Sequence, residues 1–165
     1  MKQFFFIILA SLTLFCLNYA TLSAKNSYFN EGKKFFDNKK YKDSKFYFEK
    51  DIVFNPKNEI AYLYLAKIFK KEKNYDLEEN NLNTVLLLNP ANEEAIYLLT
   101  LLTIKNSNFS KAKELISNLD SICKNMCSSK EELQSKLDSS LKSEWTPILK
   151  KIKLLLLILV HRSQN

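Results

Sequence analysis

Residues 55–90 read NPKNEIAYLYLAKIFKKEKNYDLEENNLNTVLLLNP. The segment opens and closes on Asn-Pro, and Pro56 and Pro90 stand 34 residues apart. Two apolar-rich stretches run between them, separated at Lys73-Asn74. Proline has no backbone N–H and cannot continue a helix, so each Asn-Pro marks a helix end and a turn. Helix, polar bend, helix and proline stop make one unit, and a unit of this length invites a search for copies on either side.

One frame of this period aligns residues 25–126. The first helix of each copy opens on a large residue, at Tyr28, Tyr62 and Ile96. A core residue and a small one follow in the middle copy, Leu65-Ala66; their counterparts are Glu31-Gly32 and Leu99-Thr100. The next column reads Phe35, Phe69 and Thr103. Polar bends at Asn38-Lys39-Lys40, Lys73-Asn74 and Asn106-Ser107-Asn108 precede aromatic openings of the second helix at Tyr41, Tyr75 and Phe109. Ser44, Glu78 and Ala112 come three residues later, and Phe48, Leu82 and Ile116 form the core-facing column beyond. Each helix pair cannot bury its apolar face alone, and stacking pairs makes a continuous core.

The register resembles the tetratricopeptide repeat family. The resemblance implies an all-α, right-handed solenoid of three helical hairpins, residues 25–58, 59–92 and 93–126. Glu31, Asp51 and Glu78 stand where the family has apolar or small residues, and Lys124 stands where a third closing proline is expected. These departures predict looser packing in parts of the same fold. Composition agrees with the class. The chain has only one Gly and three Pro, whereas sheet proteins need Gly- and Pro-rich turns at short intervals.

Ahead of the repeats, Met1-Lys2-Gln3 leads into the uncharged, mostly apolar run from Phe4 to Leu17, with Ala20 and Ala24 before the first following charge, Lys25. A basic start, an apolar middle and small residues near a cut describe a secretory signal. Residues 1–24 fit a cleaved signal, a retained membrane anchor, or a signal cut before Cys16 with lipid added there. Each reading places the remainder outside the cytoplasm, in the periplasm or cell envelope.

Behind the repeats, Ser128 and Ser129 followed by Glu131 and Glu132 form a capping box. Leu133, Leu137 and Leu141 recur at four-residue spacing. A capping helix is expected within residues 127–143, from about Ser129 to Lys142. After Trp145-Thr146-Pro147 an apolar tail helix is expected within residues 144–165, its run Leu154–Val160 too short to cross a bilayer. Packing on the repeats or on a partner is the reading favoured for it; a membrane-surface helix held by Lys150, Lys151 and Lys153 is the alternative.

The chemistry of enzymes is missing from the residue list. His161 is the only histidine and has no ligand-type neighbours, which argues against a metal site. A single glycine, Gly32, excludes a Gly-rich phosphate loop, and no nucleophile–base set can be assembled. No catalytic residue, metal or cofactor is expected. Cys123 and Cys127 lie at the junction after the last hairpin, either as a disulfide pinning that turn or as two free thiols; a bond requires the helix to break between them. The net charge of +7 favours acidic partners, but the lysines are interspersed with acids and form no Arg-rich patch, so nucleic acid is not the expected partner.

The resemblance implies a partner groove lined by the first helices. Carried over by register, it comprises Asn26, Phe29, Lys33 and Phe36; Leu63, Lys67, Lys70 and Lys71; and Tyr97, Leu101, Ile104 and Lys105. Phe29 and Leu63 occupy places where some members carry a Lys or Asn that clamps a C-terminal carboxylate. An amphipathic helix or extended segment with acidic flanks is therefore the expected ligand. The function expected is that of a non-enzymatic scaffold in a bacterial envelope; the alternative is a membrane-associated protein acting through its N-terminal segment and its basic, apolar C-terminal helix.

Overall fold

The computed structural model describes residues 28–163, and among them all regular structure is helical. Helix α1 covers residues 28–37, followed by α2 (Tyr41–Phe54), α3 (Glu59–Glu72), α4 (Tyr75–Leu88), α5 (Glu93–Lys105), α6 (Phe109–Ile122) and α7 (Ser129–Ser163). The segment read as signal or anchor, with Cys16 and Asn26, lies outside the described residues. The chain divides into two units, Met1–Asn89 with α1 to α4 and Pro90–Asn165 with α5 to α7.

The bend inside each hairpin is one backbone device used three times. Lys39, Lys73 and Ser107, spaced by 34 residues, have φ of 59°, 58° and 55°. At each, the next residue's N–H reaches back to close the helix: Lys40 to Phe35 O at 2.9 Å, Asn74 to Phe69 O at 2.9 Å and Asn108 to Thr103 O at 2.8 Å. The left-handed residue donates to Phe36 O, Lys70 O and Ile104 O. This pair of bonds satisfies carbonyls that a helix end leaves open. Glycine is the usual occupant, and none is used here. The following helix is capped by Asn74 and Asn108, whose side chains accept from the N–H of Leu77 and Lys111.

The turns after the second helices repeat as well. Asn55, Asn89 and Cys123 donate their N–H to Asp51 O, Val85 O and Leu119 O at 2.7, 2.7 and 2.9 Å. Asp51, expected to loosen its surroundings, is fully buried and accepts from Asn58 Nδ2 at 2.6 Å, which ties the end of α2 to the start of α3. Glu78 is buried too. Asn92 then caps α5, accepting from Ala95 N–H.

In the first unit the core is Phe48, Ala61, Leu65, Ile68 and Phe69, with Phe29, Phe36, Tyr41, Ile52 and Tyr64 packed against it. Phe48 is its centre: its ring stacks on Tyr64 at 4.9 Å and meets Phe29 at 5.7 Å. A Cβ at Gly32 would lie 2.9 Å from that ring. The hydroxyl of Ser44 donates to Gly32 O at 2.9 Å, a second mark of close approach between α1 and α2. The second unit buries Ile96, Leu99, Ala112, Ile116 and Leu119, together with Leu133 and Leu137 from α7.

The C-terminal helices differ from expectation. One helix, α7, runs through Pro147 where the sequence predicts a cap helix and a separate tail. Pro147 removes one i→i−4 bond, on a stretch whose backbone is open to water. Thr146 Oγ1 donates to Lys142 O beside it. The stripe of Leu133 and Leu137 packs as its spacing predicts. From Lys142 to Leu156 every residue is exposed, so this stretch of the tail is not packed on the hairpins.

Two stability predictions follow from these contacts. Gly32→Ala should destabilise the fold by about 1–2 kcal/mol net, because overpacking against a clamped Phe48 outweighs the gain in helix propensity; chemical denaturation reads it. Glycine at position 39, 73 or 107 should stabilise by about 0.5–1 kcal/mol each by relieving the left-handed conformation, seen as a rise in Tm.

Candidate partner-binding surfaces

In the first unit, Phe29, Lys33 and Phe36 follow one another along one stripe of α1 at helical spacing. Both rings are half-buried. Each meets Tyr64 of α3 edge-on, Phe29 at 6.1 Å and Phe36 at 4.9 Å, and Phe36 also meets Tyr41 at 5.5 Å. These aromatics therefore join α1 to α3 and present only part of their surface. Lys67 Nζ lies 5.1 Å from the Tyr64 ring and Lys71 Nζ 4.9 Å from Tyr41. Such placements hold a cation over a π face. Lys33 and Lys70 are exposed. Leu63 is a correction: at 4% exposure it belongs to the buried interior and offers a ligand nothing. It was carried over by register alone, and in the folded chain it is buried on α3 together with Ala61, Leu65, Ala66 and Ile68.

The residues expected from the third hairpin are placed differently. Tyr97 donates its hydroxyl to Glu132 of α7 at 3.1 Å. Burial first, and then that bond to a carboxylate, raise its pKa above the ordinary phenol value. Ile104 is buried, a second correction; Leu101 is half-buried and Lys105 exposed. Helix α7 packs on both α5 and α6, so at Tyr97 the face expected to receive a partner already meets the chain's own helix.

A feature that sequence reasoning missed closes the second unit. The carboxylate of Glu93, first residue of α5, receives three consecutive backbone N–H groups from the turn after α6. Lys124 donates to Oε1 at 2.8 Å, Asn125 to Oε2 at 3.1 Å and Met126 to Oε2 at 2.6 Å. Glu93 is held below the usual carboxylate range, chiefly by the Lys124 N–H. A proline at position 124 could not make that bond. The missing third proline was the signal, since it leaves a run of free donors opposite an acidic helix start. Cys123 and Cys127 form a disulfide across the same turn, Cα–Cα 5.2 Å, and the helix is broken between them.

Among the described residues, no group of three or more His, Cys, Asp and Glu could hold a metal ion, and no helix is long and apolar enough to cross a membrane. Apolar side chains are exposed on α2 (Phe46, Val53, Phe54) and along α7 from Trp145 to Leu156. On α2, Lys50 Nζ lies 4.6 Å from the Phe46 ring.

No family model and no curated protein matches the sequence. Solved structures do match. The first TPR domain of Spaghetti (RPAP3), bound to the HSP90 peptide SRMEEVD, superposes with TM-score 0.63 at 19% identity, over 71% of this chain and 92% of that one. The TPR2B domain of yeast Sti1, from a pHsp70 complex, gives 0.62 at 14% identity, over 70% and 96%. The Yersinia enterocolitica type III secretion chaperone SycD, in complex with a peptide of the translocator YopD, gives 0.63 at 11% identity, over 72% and 93%. At these identities the likeness is one of fold.

The Glu93 turn sets a pH dependence. Because the folded pKa is depressed, its stabilising effect is fully present above the ordinary carboxylate range and is lost as pH falls through the folded value. Amide exchange at Lys124 to Met126 should accelerate on acidification relative to the intrinsic rate, and Glu93→Gln should remove that acid dependence.

Proposed function

We propose that this chain, a tetratricopeptide-repeat fold, is a non-catalytic scaffold that holds an acidic segment of another protein against α1 and α3 of its first unit. One observation carries the reading: the half-buried aromatics Phe29 and Phe36 meet Tyr64 edge-on, with Lys33 on the same stripe of α1, Lys67 Nζ over the Tyr64 ring, Lys71 Nζ over the Tyr41 ring and Lys70 exposed on α3. Aromatic edges supply desolvated contact area, and the lysines favour a ligand with carboxylates. Three of the matched structures hold peptides or were solved in a complex, and that supports the same use of the fold here. Phe29 stands in the aromatic cluster and Leu63 in the interior, so neither provides a polar clamp for a terminal carboxylate. An amphipathic helix or extended segment with acidic flanks suits the surface better.

The place of work we infer is the bacterial envelope, with the chain as one member of a larger assembly. The basis is the N-terminal sequence, where Lys2 precedes the apolar run Phe4–Leu17 and the small residues Ala20 and Ala24. Cleaved, anchored and lipidated forms all reach that compartment and differ in the mass of the mature N-terminus.

A photo-crosslinking residue at position 33 should trap a discrete protein in cells, and the same residue at the outward position 80 should not. Lys33→Glu with Lys70→Glu should weaken capture by about tenfold, with the effect shrinking at high salt. Equal trapping at both positions, or none at either, would sink the proposal.

A further inference from the structure

The second half of α7 has a face that the hairpins do not use. Trp145, Ile148, Leu149, Ile152, Leu155 and Leu156 recur at three- and four-residue spacing, so they line one side of the helix. All six are between 45% and 60% exposed. Lys150, Lys151 and Lys153 lie off this stripe, with Leu154 among them. From Trp145 to the last residue there is no Asp or Glu, while Arg162 adds to the three lysines.

We propose that this helix face lies on an anionic phospholipid surface, with the apolar stripe below the headgroups and the lysines at their level. Charge complementarity selects this occupant. A second copy packed along the same face would bring two sets of lysines together with no carboxylate from either segment to offset them. The helix is too short in apolar length to cross a bilayer, so it would lie in the interface plane. Lysine stems can reach along the apolar surface while their ammonium groups stay with lipid phosphates. Trp145 at the start of the stripe is a side chain suited to that boundary. The inference is independent of the groove reading, since it concerns other residues and another class of partner.

Trp145 is the only tryptophan in the chain, so its fluorescence reports on this helix alone, whatever the N-terminal segment does. Full-length protein should show a blue-shifted emission, quenched by brominated lipid, on adding phosphatidylcholine vesicles containing phosphatidylglycerol, and little change with phosphatidylcholine alone. The triple variant K150Q/K151Q/K153Q should weaken partitioning by on the order of a hundredfold. Ile152→Asp should abolish the shift; all four positions are exposed, and circular dichroism verifies that each variant folds. No shift with anionic vesicles, or an equal shift with neutral ones or in the lysine variant, overturns the proposal. A blue shift that rises with protein concentration in the absence of lipid also overturns it and assigns the face to self-association.

Discussion

Two helices share a core only if their backbones come close enough for side chains from one to fill space beside the other. In the first hairpin that constraint is met where Gly32 leaves room for the Phe48 ring and its carbonyl takes the Ser44 hydroxyl. Phe48 in turn organises the aromatic cluster of Phe29 and Tyr64, and Tyr64 carries the contact on to Phe36. In the other hairpins the same columns hold Ala66 and Thr100 on one helix, and Leu82 and Ile116 on the other, all buried. A small residue against a large one is the common solution, and dense packing makes each column intolerant of added volume.

The bends make that approach possible, and they use left-handed lysine or serine rather than glycine. The conformation costs energy at each bend. It persists because the two backbone bonds and the burial on either side overdetermine it. Polar residues in nominally apolar places act in the same way. Asp51 is buried, but it fastens the turn before α3 through Asn58, and so a departure from the family pattern becomes a tie.

The end of the repeats shows how a lost element is replaced. Without a proline at position 124, the turn after α6 regains an N–H donor, and Glu93 gathers it with the next two. The disulfide of Cys123 and Cys127 spans the same turn. Beyond it, α7 buries Leu133 and Leu137 and ties to α6 through the ion pair of Lys130 with Asp120. The surfaces left for other molecules are consequences of this economy. The aromatics that join α1 to α3 keep only their edges for a ligand, and α7 leaves its packed stripe behind after Leu141.

The 34-residue period, the helix pairs and their bends were legible in the sequence because each rests on local chemistry: proline stops, polar bends bearing Asn and Lys, and columns of large and small residues. The core-facing column Phe48, Leu82 and Ile116 is buried as that frame predicts, and Ser44, Glu78 and Ala112 are buried beside it, Glu78 included although a charge there was expected to loosen the packing. The candidate groove was legible only as a register. Tertiary packing decided that Leu63 and Ile104 turn inward, that Tyr97 answers Glu132, and that Pro147 lies inside one long helix. It also brought Glu93 to the turn at Lys124, 31 residues away. Helix periodicity and capping depend on neighbours within one or two turns of the chain, so a sequence can display them. Which face of a helix stays open depends on what distant segment comes to lie upon it, and only the folded chain settles that.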